Sequence, residues 1–191
     1  MNLPRIEHDM KPRTSLDHPL RIATVPVGDG AVGMTFCPGK HGDSDRGAAW
    51  ARDLGVDLDV IQNWGASTVV TLVERHELIS LSVPDLGMRI RERGLEWHHL
   101  PIRDVSVPGP SFEADWPAAA ASLRKQVSDG GRVLVHCRGG LGRAGTVAAC
   151  LLIELGAEPS DAIYKVRAAR PHAIETWAQE SYVMNYLPTA G

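Results

Sequence analysis

The chain has no apolar run approaching the roughly 18 residues of a membrane span. Its first residues, MNLPRIEHDMKPRT, lack the apolar core of a signal peptide. A soluble, cytoplasmic protein that engages no membrane is expected. Cysteine is scarce: Cys37, Cys137 and Cys150 lie far apart with no CxxC pair, which excludes a disulfide framework and a recognisable zinc site. The eight histidines do not supply the missing ligands, because adjacent His98 and His99 fall on an expected strand and point to opposite faces. Excess basic charge is also missing. A net charge of −3 leaves no electrostatic footprint for nucleic acid, so any anionic partner must be met by a local pocket. Neither a metal nor another cofactor is called for.

What is present suits one core. With 191 residues, 43% of them hydrophobic, and no shift of composition between its halves, the chain reads as one domain over residues 20–191 behind a polar arm at 1–19. LRIATVPV and AVGMTF, joined by GDG, predict a β-hairpin. Asp43, Ser44 or Asp45 is placed to cap a helix from about Arg46 to Leu54, followed by a further helical turn or two to Trp64. TVVTLV and LEWHHLPI predict strands, with a helix from Pro84 to Arg93 between them. A helix is expected from Trp116 and Pro117 to Asp129, with Asp115 at its start, then a buried strand Arg132–His136. Helices over about 143–155, 160–169 and 174–187 close the chain, and Trp97, Trp177 and Tyr186 read as core. Strands alternating with helices predict an α/β domain whose central, mostly parallel twisted sheet is flanked by helices.

Between the strand at 132–136 and the next helix lies VHCRGGLGRAGT, residues 135–146. A loop there sits at the carboxyl end of a strand, where open α/β sheets place ligands. Backbone N–H groups of Arg138, Gly139, Gly140, Leu141 and Gly142 can converge on one anion, and the helix adds its positive end. The loop lacks the lysine of a nucleotide-binding loop. It has instead Cys137 at its first position and Arg143 at its last, five residues apart in between. An ordinary thiol, with a pKa of about 8.5, is only a few per cent ionised at pH 7, whereas a helix N-terminus and nearby cations bring thiols to about 3.5–7.5. Converging N–H groups, Arg143 and the neighbouring His136 are the available contributors. A thiolate in an anion cup suits phosphoryl transfer through a covalent thiophosphate, with Arg143 gripping two phosphate oxygens at once. The leaving group needs a proton, and Asp104, after the strand ending in Pro101-Ile102, is the candidate acid.

HCRGGLGR resembles the HCxxxxxR signature of the protein tyrosine and dual-specificity phosphatases. The resemblance extends through FCPGK, RHELISLSVPDL, EWHHLPIRD, VHCRGGLGRAGTVAACLL and HAIETWAQESYV, residues 20–187, and is nearest to the kinase-associated dual-specificity branch. It implies Cys137 as nucleophile, Arg143 as phosphate clamp, Asp104 as general acid and then base, and Gln179 as the side chain orienting the hydrolytic water. His136 reads as a hydrogen-bonded loop support rather than a proton-transfer group, and Arg138 stays open between a wider anionic pocket and plain solvation. Most relatives carry a hydroxyl residue after the arginine, to stabilise the departing thiolate; here the position is Ala144. Thr146 replaces that hydroxyl only if the helix start turns it inward.

The leading expectation is a phosphatase of phosphoproteins, acting on phosphotyrosine with phosphoserine and phosphothreonine admitted by a shallow pocket. The alternatives are a phosphatase for a lipid, inositol or RNA-end phosphomonoester, and a weakly active phosphopeptide-binding module. A sulfur-transfer enzyme would not need Asp104.

Overall fold

Val133, Leu134 and Val135 are fully buried and form the middle of β7 (Arg132–Cys137), an apolar run of the kind a strand covered on both faces requires. The computed structural model describes residues 11–43 and 47–189. In it β7 is the central strand of five. β2 (Gly30–Phe36) and β5 (Ala66–Thr71) flank it in parallel, and β6 (Glu96–His99) continues the sheet beyond β5. β1 (Ala23–Val27) pairs antiparallel with β2 at the other edge, where the exposed Pro26 costs no ladder bond that the sheet needs. The order β1-β2-β7-β5-β6 is the mostly parallel sheet expected.

Helices cover both faces: α1 (Leu54–Asn63), α2 (Arg75–Ser80), α3 (Leu86–Glu92), α4 (Pro110–Ser128), α5 (Gly142–Glu154), α6 (Pro159–Ala169) and α7 (Trp177–Met184). Every residue of α5 is buried, so the helix that follows the glycine loop is the inner helix of the fold, covered by α4, α6 and α7.

Four expectations change. The helix expected over 46–54 is absent from its described part up to Asp53: Trp50–Ala51 (β4) pairs with His41–Gly42 (β3), and the helix begins only at Leu54, where Asp53 accepts the Val56 N–H at 2.9 Å. Asp43 is no cap, and Ser44, Asp45 and Arg46 lie outside the described residues. α4 starts at Pro110, six residues before Trp116, leaving Pro117 and Asp115 inside it. Trp177 is 84% exposed and belongs to no core. α2 has no counterpart among the expected elements. Of the arm, residues 1–10 lie outside the described residues; from Lys11 on it is docked, with Arg13 bridged to Trp50 and Ser15 buried against Asp53. Among the described residues no helix is long and apolar enough to cross a membrane.

Candidate active site

β7 ends on Cys137, and the loop to α5 bends back at once because Gly140 has φ +69. A side chain there would drive a Cβ to 2.4 Å from the Thr35 carbonyl carbon, so only glycine lets the loop lie on β2. The turn brings the Gly140 N–H onto the Cys137 sulfur at 3.2 Å. Cys137 itself is buried, Arg138 and Gly139 are exposed, and Leu141 is half-buried.

Each loop carbonyl is held from outside. Lys40 Nζ donates to the Arg138 carbonyl at 3.2 Å, Arg170 donates to those of Gly139 and Gly140 at 3.3 and 3.2 Å, and the Ile174 N–H donates to that of Leu141 at 3.3 Å. The Gly142 carbonyl accepts the Thr146 hydroxyl at 2.8 Å. With the carbonyls engaged from outside, the Gly140 N–H faces the sulfur, whereas the Gly142 N–H is taken by Glu175. The Thr146 hydroxyl is thereby turned to its own helix, while the hydrogen bond on the sulfur comes from Gly140. Ala144 is fully buried.

Arg143 is 2% exposed and fully engaged. Nη1 and Nη2 grip the two oxygens of Glu77 at 2.6 and 2.9 Å, and Nη1 also donates to the Ile102 carbonyl at 2.9 Å. Nη2 pairs with Asp104 Oδ1 at 2.7 Å. Asp104 and Arg143 are therefore brought together, and Asp104 is the member that reaches solvent, its side chain 55% exposed. Burial would push the Glu77 carboxyl up. The Arg143 hydrogen bond, the Glu74 N–H and the Arg143 charge outweigh that and hold it below the usual glutamate range. Burial likewise works against the Arg143 charge, and Glu77, Cys137 and Asp104 more than offset it.

His136 is fully buried, with Nε2 paired to the Thr71 hydroxyl at 2.7 Å, and the same hydroxyl takes the Trp97 indole N–H. Burial pushes its imidazole down to about 3. At neutral pH it is uncharged, so His136 braces the strand end and contributes no cation to the thiol. Gln179 is buried: its Oε1 accepts the Glu175 and Thr176 N–H groups, and its Nε2 donates to the Ser106 carbonyl at 3.2 Å, tying α7 to the segment after Asp104. It also stands beside the loop, since a Cβ on Gly142 would come within 2.9 Å of its amide. Glu175 takes the Gly142 N–H at 2.8 Å. Among the described residues no group of histidine, cysteine and acidic side chains is placed to hold a metal.

Sequence reasoning did not single out Glu77, Lys40, Arg170 or Glu175. Arg170 and Glu175 carry no local signal, since each acts only through the fold. Glu77 stands three residues after Glu74 at the start of α2, the spacing of a helix-starting box, and that was the one legible clue.

Comparison with known proteins gives the family. The family model described as "Swiss Army Knife protein, DSP-PTPase phosphatase domain" matches residues 54–183. The chain belongs to the dual-specificity and protein tyrosine phosphatase family. The phosphatase is 29% identical over 185 residues to cyclin-dependent kinase inhibitor 3 of Rattus norvegicus, covering 93% of this chain and 84% of that protein. It is 31% identical over 134 residues to protein tyrosine phosphatase type IVA 3 of Bos taurus, covering 69% of this chain and 70% of that one. The crystal structure of kinase associated phosphatase, with its catalytic site cysteine substituted by serine, superposes with a TM-score of 0.74 at 27% identity, over 86% of this phosphatase and 92% of that chain.

Proposed function

We propose that this phosphatase hydrolyses phosphotyrosine, and with it phosphoserine and phosphothreonine, on protein substrates through a cysteinyl-phosphate intermediate. The observation that carries the reading is that one buried guanidinium, Arg143, joins the end of the cysteine loop to a half-exposed carboxylate, Asp104, from a distant segment. Cys137 Sγ attacks phosphorus, the S–P bond forms, and the P–O bond to the leaving oxygen breaks as Asp104 gives that oxygen its proton. Arg143 and the loop amides take the charge on the phosphoryl oxygens. In the second step water attacks phosphorus, Asp104 accepts its proton, Gln179 orients it, and the thiolate leaves. The acid must part from Arg143 Nη2 to reach the leaving oxygen, and its solvent exposure leaves it free to do so.

The test compares wild type, Cys137→Ser and Asp104→Ala on a phosphotyrosine peptide, a phosphothreonine peptide, an inositol phosphate and an aryl phosphate. Turnover of both peptides that disappears in Cys137→Ser is expected. Preference for the inositol phosphate would transfer the activity to a non-protein substrate. Phosphopeptide binding without turnover in wild type would make the protein a binding module, the reading that Ala144 favours.

A further inference from the structure

Lys40 follows Cys37-Pro38-Gly39 at the end of β2, beneath the loop, and is 7% exposed. Its ammonium lies between two aromatic faces, 4.6 Å from the centroids of both Phe36 and Trp50, and donates to the carbonyl of Arg138, the residue next to the nucleophile. Burying an ammonium is unfavourable by several kcal/mol unless an anion faces it. Among the described residues no carboxylate forms an ion pair with Lys40. Asp57, which takes the N–H of the adjacent Gly39, is fully used by that bond and by Arg52.

The groups that face Lys40 are few. Arg52 shares its aromatic rings, Arg13 also lies over the Trp50 ring, and Arg138 is on the loop: all are cations. The remaining two are thiols, Cys37 and Cys137. Burial pushes the Cys37 thiol far up, and its S–H points to the Pro38 carbonyl at 3.8 Å, so Cys37 keeps its proton. Of the two thiols, Cys137 is the one left to carry charge opposite this cation.

We propose that Lys40 is a positioning residue for the Cys137 thiolate, a caged cation beneath the phosphate loop that favours ionisation of the nucleophile and fixes the carbonyl beside it. The proposal rests on Cys137 being the nucleophile. Burial brings the Lys40 ammonium down to about 8, so it is charged at neutral pH. Lys40 acts from its buried place at the end of β2, through the carbonyl side of the loop.

The experiment measures iodoacetamide alkylation of Cys137 against pH in wild type and Lys40→Met, with Cys137→Ser subtracting the signal of Cys37 and Cys150. The thiolate midpoint is expected to rise by about one unit or more in Lys40→Met, the shift one close opposite charge produces, and the acid limb of kcat/KM for an aryl phosphate to move with it. Lys40→Arg keeps the wild-type midpoint. An unchanged midpoint in Lys40→Met, which removes the charge and keeps an apolar side chain of similar length, overturns the proposal. If Lys40→Met does not fold, the coupling is read from the other partner. The Lys40 side-chain carbon resonance is titrated in wild type and in Cys137→Ser, where reciprocity requires Lys40 to lose its proton at lower pH without the thiolate. Equal midpoints there overturn it as well. A shifted thiol titration in a wild type that turns over no phosphate ester supports Lys40 and counts against the phosphatase reading alone.

Discussion

Arg52 and Arg143 are both buried, and both grip a carboxylate through two nitrogens near the carboxyl ends of β2 and β7. Arg52 holds Asp57 at 2.8 and 2.7 Å, with both side chains fully buried, and its remaining nitrogen bonds the His18 carbonyl. Arg143 holds Glu77 in the same fork but extends Nη2 to the half-exposed Asp104. The first pair is sealed, and its work is to seat the docked segment 11–19 against α1. The second is open on one side, toward Asp104, which reaches solvent. The chemistry of the two pairs is the same; what separates structure from catalysis is whether a guanidinium edge faces a group that can leave it.

Replacing the open guanidinium breaks the comparison hardest. Arg143→Lys keeps a cation beside Glu77 but gives up the planar fork, and kcat/KM for an aryl phosphate is expected to fall by about 10³-fold or more. A drop below tenfold would put the phosphate clamp elsewhere. Arg52→Met leaves Asp57 buried without its partner and is expected to lower unfolding free energy by about 3–5 kcal/mol. Urea denaturation would show this, while turnover per folded molecule changes far less than in Arg143→Lys. Adding Asp57→Leu to Arg52→Met should return most of that stability.

Asp104→Ala removes the open pair's solvent-reaching partner. Turnover of an alkyl phosphate is expected to fall by about 10²-fold or more, and that of an activated aryl phosphate by much less, because the better leaving group needs the proton less. Equal losses on both would deny Asp104 the role of acid. Ala144→Ser, between the cup and the buried body of α5, offers the departing thiolate a hydroxyl. Breakdown of the phosphoenzyme should quicken by about tenfold, the value of a hydrogen bond to a charged group, seen as a smaller pre-steady-state burst. An unaltered burst would mean that release of phosphate is not limited at the sulfur.

The smallest effect concerns pH. The Glu77 carboxyl sits below its ordinary 4.5, so the folded protein binds its proton less readily than the unfolded chain does. The pair therefore stabilises the fold above that ordinary value, and the contribution is lost as pH falls through the lower folded value. Glu77→Gln should flatten the acid slope of stability in denaturant titrations; an identical slope would assign the acid sensitivity to other groups.

How much of this was readable depended on distance along the chain. Cys137 and Arg143 are separated by five residues, and a short loop declares itself. Glu77 lies on a six-residue helix too short for periodicity to reveal, and its partner is on α5 far down the sequence. The alternation of strands and helices gave the sheet, because apolar runs such as 133–135 state their burial directly. The region before α1 misled for a physical reason: several aspartates offer a cap there, and only the fold selects Asp53, whose backbone is already held by Ser15. Pro110 and Pro117 each suit a helix start, and local sequence does not decide between them. Trp177 looked like core because it is large and apolar, yet it stands at the first position of α7, just after the Thr176 cap, facing solvent.

The outer ring of donors to the loop carbonyls has one further consequence. Lys40, Arg170, Ile174 and Thr146 hold the cup in shape whether or not an anion is near, so its ordering is completed once, when the chain folds, and is not repeated at each encounter. Inorganic phosphate and a phosphopeptide then meet the same rigid receptor, and selectivity between substrates falls to whatever surrounds the mouth.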